Sequence, residues 1–265
     1  MEEAVDPVEL VALGDRPDVE QGMAEAEQSI YPDFMTKGQD NYYAQMEKLL
    51  GTIDDYRIAY VAAGTADVLA GAEAAPIAWN GTDEDLPGGY DDGLQRAVDV
   101  AEGRSRGCAL SALNLMVSEH ARGMRLSVRL VEALAERAAG LGPLVAAIRP
   151  PGKVAHPRVP IEEYVAWTRD DGSAFDPWIR SFFDIGARLG PVSPASLKID
   201  GTVDDWEEWT GLKFPESGEY EIPGGLTTLI VDLERDHCAY VEPSVWLILD
   251  VNGRAVESVN RKGSG

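Results

Sequence analysis

The segment Asn114-Leu-Met-Val-Ser-Glu-His-Ala-Arg-Gly-Met-Arg-Leu-Ser127 holds the most suggestive chemistry in the chain. An apolar run enters a glycine-containing turn and passes directly into a stretch with helical spacing. The first N–H groups of a helix have no partner within it, and they carry partial positive charge from the helix dipole. A phosphate placed there is held by backbone amides. Arg122 and Arg125 flank the same spot and can add charge-assisted hydrogen bonds. The physics alone describes a diphosphate-type anion site; it also allows an ordinary strand-to-helix turn with solvated arginines.

The surrounding charge supports the first reading. The 265-residue chain has a formal net charge of −23, which disfavours nucleic acid and anionic lipid as partners. Residues 101–160 nevertheless hold nine Lys/Arg against four Asp/Glu. A basic island in an acidic chain suits an anion, although a helix face paired with acidic neighbours would give the same count.

The elements that would position this site follow from periodicity. Residues 108–117 and 144–148 read as buried strands, and 126–139 as a helix with apolar residues at 126, 130, 131, 134, 135 and 138. Strand, helix and strand of these lengths predict a parallel crossover. Before it, 8–13 reads as a strand, Asp15-Arg-Pro17 as a helix start, 41–50 as a second helix, 56–62 and 68–79 as a hairpin, and 94–102 as a helix. After it, 161–169 and 177–189 read as helices, 202–210 as a helix with Thr202 and Asp205 at capping-box spacing, and 226–233 and 239–251 as a final hairpin. The expected fold is α/β (α+β): a mixed, mostly antiparallel central sheet flanked by helices. One domain over 1–250 is expected, with 251–265 as a flexible tail. The acidic N-terminus lacks the marks of a signal peptide. No run of 18 apolar residues is present, and two cysteines suit a reduced, cytoplasmic protein.

Val117-Ser-Glu-His-Ala-Arg-Gly-Met-Arg-Leu-Ser127 resembles the donor-binding motif of the GNAT acyltransferase superfamily, Arg/Gln-x-x-Gly-x-Gly/Ala at the end of the fourth strand. Arg122 matches its first position, Gly123 a glycine often found second, and Ser127 loosely the final small residue. The element order over 8–250 is also similar. The resemblance implies a sheet splayed at the fourth strand, and an acyl-CoA donor as co-substrate without metal. It implies amides near Met116 and Val117 on the pantetheine arm, and amides of Gly123, Met124, Arg125, Leu126 and Ser127 on the pyrophosphate. The implied reaction is direct transfer from a thioester to an amine.

Two departures stand out. Arg125 occupies the family's central glycine position, and the aromatic positions of the family's tyrosine acid are Phe182 and Phe183, which cannot donate a proton. For the base, Glu119 lies at the end of the motif strand and His156, of a residue type that exchanges protons near neutrality, lies in the loop after the fifth strand. Tyr240 and Glu242 on the last hairpin can face the acceptor. Glu119 has a plainer reading as a surface carboxylate paired with Arg122 or Arg125, and His156 as a solvated loop histidine. Trp206 and Trp209 read as packing, and three scattered histidines make no metal site.

The expected function is acyl transfer to a small-molecule amine, cationic given the acidic chain and belonging to specialised metabolism. The acyl group arrives on CoA or on the phosphopantetheine arm of an acidic acyl-carrier protein, which the basic island would suit. The alternative is a degenerate GNAT-like domain that binds a ligand or partner.

Overall fold

The computed structural model describes residues 8–251; the expected tail beyond Val251 lies outside the described residues. Val251 itself is buried. Nine strands form one sheet: β1 (Val8–Ala12), β2 (Arg57–Ala62), β3 (Val68–Ile77), β4 (Ala109–Val117), β5 (Leu144–Ile148), β6 (Arg188–Gly201), β7 (Gly218–Glu221), β8 (Thr228–Asp232) and β9 (His237–Leu249). All neighbours run antiparallel except β4 and β5. Both faces of the central strands are buried, so these strands are near-continuous apolar runs. Helices α5 (Leu126–Ala138) and α7 (Pro177–Asp184) cover one face. Helices α1 (Glu20–Ile30), α3 (Asp40–Leu49) and α4 (Tyr90–Ala101) cover the other. Short α2 (Asp33–Lys37) and α8 (Val203–Thr210) close a third core around Phe34, Trp206 and Tyr240.

Two register features open the sheet. β4 pairs with β5 only from Leu110 to Ala112 and then diverges, and the shift between Glu73 and Ala74 leaves Leu113 as a bulge in β4. On the far side, β6 occupies one edge of β9 from Cys238 to Ile248. The other edge is shared end to end: β8 takes residues 237–240 and β5 takes 245–249. Residues 241–244 fall between these two ladders, and Pro243, which has no N–H to donate, sits in that interval.

Several elements differ from the sequence reading. Pro17 opens a 3-10 turn, and α1 proper starts at Glu20. The helix expected over 161–169 is one turn, α6 (Ile161–Tyr164); Thr168 instead bridges Ala174. The helix expected over 177–189 stops at Asp184, because Gly186 turns left-handed (φ 82°) and Arg188 begins β6. β6 itself was not expected. Pro191 and Pro194 interrupt its pattern, and its register shifts fall at those prolines, between Leu189/Val192 and Ser193/Leu197. β7 is four largely exposed residues with no periodic signal. The capping box of α8 is present, with Thr202 and Asp205 bonding each other's backbone.

Candidate active site

The divergence of β4 from β5 leaves a cavity of about 820 Å³. Its walls come from both faces of the sheet: Leu126, Ser127, Trp178 and Ser181 from the α5/α7 side, and Glu27, Tyr31, Tyr42 and Tyr90 from the α1/α3/α4 side. It therefore passes through the sheet, between the free edge of β4 and residues 242–244 of β9.

Strand geometry fixes which amides face the gap. Ser118 N donates to Leu69 O on the β3 side, so by alternation the N–H groups of Leu115 and Val117 point away from β3. Tyr31 Oη, 3.4 Å from Leu115 O, approaches from that open side. Met116 turns its N–H toward β3, and it lines the cavity while its side chain packs in the core with Met23 and Val68. Of the two amides expected on a pantetheine arm, Val117 is therefore directed at the gap, and Leu115 replaces Met116.

At the α5 end, the turn before the helix contains two left-handed residues, Gly123 (φ 89°) and Arg125 (φ 57°). Arg125 is the N-cap of α5, and no side chain caps that helix. The N–H groups of Leu126, Ser127 and Val128 thus have no carbonyl one turn earlier to bond. The left-handed conformation gives a physical reason for a glycine at position 125. Arg125 adopts it at a cost, so Arg125→Gly is expected to raise stability by about 1 kcal/mol, or roughly 2–4 °C in Tm, measurable by scanning calorimetry. The Arg122 and Arg125 side chains are 70% and 73% exposed at the mouth, where Arg122 pairs with Glu119 at 3.1 Å and Arg125 lies 4.0 Å from Asp184. Ser127 Oγ is 2.9 Å from Ser181 Oγ, which joins α5 to α7.

Much of the basic island serves structure instead. Arg129 sits 4.4 Å over the Tyr60 ring, Arg137 donates to Asp55 O, and buried Lys153 donates to Leu226 O. Arg149 faces the cavity, with its Nε 2.9 Å from Glu242 Oε1.

The expected catalytic residues separate. Glu242 is buried on the cavity wall and accepts a 2.5 Å hydrogen bond from Tyr240 Oη. Tyr240 is fully buried behind it, also accepting from Leu226 N, and burial raises its pKa. Its place is in the core and not on the cavity wall. Glu119 does not line the cavity: its side chain is 80% exposed. His156 does not line it either, lying edge-on to Trp167 (centroids 4.8 Å apart) in a cluster with Tyr164 and Phe175. Phe182 is buried, and Phe183 is half-exposed.

Sequence reasoning missed the wall on the α1/α3/α4 side. Tyr31 donates to Asn114 Oδ1 at 2.9 Å. Behind it lies an ion network, buried at Arg57 and Glu73: Arg57 Nε donates to Glu73 Oε1 at 2.9 Å, and Arg57 Nη2 to the more exposed Glu20 Oε2 at 2.7 Å. Tyr42 Oη reaches Glu73 Oε2 at 3.4 Å. Burial, and then the charge of Glu73, push the Glu27 carboxyl up to about 7. The one available signal was spacing: Glu27 and Tyr31 are four residues apart, on one helical face.

A raised carboxyl has a stability consequence. Below the unfolded value near 4.5, Glu27 is protonated in both states and costs nothing. Between 4.5 and 7 the folded state holds the extra proton, so stability falls as pH rises, and the loss is complete above 7. Glu27→Gln, neutral throughout, is expected to melt higher than the parent protein at pH 8, with the difference shrinking steadily toward pH 5.

No protein-family model matches the chain. Over 188 residues it is 33% identical to arginine N-acetyltransferase avaD of Aspergillus versicolor, a match covering 62% of this chain and 64% of that protein. The chain thus spans just under two thirds of that curated relative's length. Its structure resembles the loading GNATL domain of CurA from Lyngbya majuscula, with a TM-score of 0.55 and 14% identity over 94% of this chain and 100% of that one. It also resembles the GphF GNAT-like decarboxylase in complex with isobutyryl-CoA, with a TM-score of 0.55 and 16% identity over 93% and 100%. At such identities the likeness is one of fold. The fold is GNAT-like, a mixed, mostly antiparallel sheet that opens at its fourth strand. Among the described residues, no helix is long and apolar enough to cross a membrane, and no cluster of three His, Cys, Asp or Glu is placed to hold a metal.

Proposed function

We propose that this protein is an N-acyltransferase that moves an acyl group from acyl-CoA to the amine of a small cationic acceptor. The observation that carries this reading is the cavity through the sheet, with an uncapped helix N-terminus on one side and carboxylates on the other. The arginine N-acetyltransferase relative supports it. The donor diphosphate would lie on the amides of Leu126, Ser127 and Val128, with Arg122, Gly123, Met124 and Arg125 forming the turn around it. The pantetheine arm would follow the N–H groups of Leu115 and Val117. The amine nitrogen attacks the thioester carbon, the new C–N bond replaces the C–S bond, and CoA leaves as the thiol. Glu242 would accept the amine proton through water. The Tyr31 hydroxyl, beside the open edge of β4, would donate to the leaving sulfur in place of the family's tyrosine. Two free cysteines suit a cytoplasmic setting.

The test is acyl-CoA incubated with a panel of amines including arginine, reading thiol release and acylated product by mass spectrometry. Tyr31→Phe should lower kcat about 10- to 100-fold. Donor binding without transfer to any amine would favour the ligand-binding alternative. A second reading, a donor on an acyl-carrier protein, draws on the two exposed arginines at the mouth. Equal or faster turnover with free acyl-CoA would remove it.

A further inference from the structure

We infer that the chamber between α1, α3 and β4 holds a second, non-reacting cation of the acceptor, with Glu27 as its counter-ion and the Gln39 side-chain amide as a hydrogen-bonding partner. The inference rests on the acyl-transfer reading and adds to it that the acceptor carries two nitrogen functions, one attacked and one only bound.

Charge is the first support. Around the chamber stand Glu20, Glu27 and Glu73 on one side, and Glu242 on the other. Arg57 is committed to Glu20 and Glu73, and Arg149 lies against Glu242. Glu27 has no basic partner among the described residues, and the charge it feels most is another carboxylate, Glu73. Four carboxylates thus face two guanidiniums among the described residues, and Glu27 is the one with no cation beside it. A buried carboxylate without a partner is costly, and a bound cation removes that cost.

Gln39 is the second support, and it is independent of charge. It lines the cavity with 9% exposure, yet its side-chain amide has no hydrogen-bond partner among the described residues. A cavity-lining amide of this kind can bond a ligand. Its carbonyl accepts from an N–H donor, as does Glu27. The rest of the wall here is aromatic: Tyr42 and Tyr90, with ring centroids 6.2 Å apart, and Tyr31. Such a wall suits a planar guanidinium or an ammonium.

The test is calorimetric binding to the whole protein, with arginine against its uncharged counterpart citrulline, and putrescine against butylamine. The expected result is tighter binding of the member with the second cationic group in each pair by about 10- to 100-fold, with both ratios falling toward one in Glu27→Gln. Gln39→Leu should weaken arginine severalfold. Equal affinities within both pairs in the parent protein, or ratios that survive Glu27→Gln, would overturn the inference. Because binding is read without acyl transfer, the expected ratios in the parent protein, lost in Glu27→Gln, together with no acylated product would instead sink the acyltransferase reading and leave the cation chamber standing.

Discussion

Glu242→Ala is expected to lower the melting temperature by about 10 °C. Arg149 is mostly buried, and its guanidinium has two partners in reach: the Glu242 carboxylate at 2.9 Å and the carbonyl of Gly224. Glu242 also accepts from Tyr240, whose hydroxyl in turn accepts from Leu226 N. Removing the carboxylate strands a buried cation and a buried hydroxyl together. Breaking a buried ion pair from one side costs about 3–5 kcal/mol, and at this chain length each kcal/mol moves Tm by about 2–4 °C. Glu242→Gln retains an acceptor for Tyr240 and loses only the charge, so it should fall between the parent protein and Glu242→Ala in a thermal melt. If Glu242→Ala melted with the parent protein, the pair would be shown to contribute nothing net.

Ser127→Asp is expected to weaken acyl-CoA binding about 100-fold without lowering stability. Position 127 is in the first turn of α5, where a carboxylate interacts favourably with the helix dipole by about 0.3–1 kcal/mol. The same negative charge would occupy the amides and repel a diphosphate held there. Stability and ligand affinity therefore move apart, which ordinary damage to the fold would not produce. Calorimetry with CoA beside a thermal melt makes the comparison. Unchanged CoA affinity would put the diphosphate somewhere other than this helix end.

Residues close together in the sequence were legible because their physics is local. The β4–α5–β5 unit shows in apolar spacing, the α8 cap in Thr202 and Asp205, and the turn before α5 in the strand-to-helix junction. Arg125 was legible as a departure from glycine, but its left-handed φ of 57° is a structural result. β6 was not legible, because its two prolines and its register shifts break the alternation that marks a strand. Glu119 lies within the junction and His156 in the loop after β5, yet neither lines the opening.

The sequence by itself determined the elements, the acidic chain with its basic island, and the place where a helix N-terminus meets a strand end. Only the tertiary structure decided the other half of the site. Glu27, Tyr31 and Gln39 lie more than seventy residues before Asn114 in the chain, and Glu242 lies more than a hundred after it. They share a cavity because β4 leaves β5 after three paired residues, and because β5 and β8 divide one edge of β9. Hydrophobic period encodes which face of an element is buried. Where two strands part is set by register and packing across the whole sheet, and no local pattern records it.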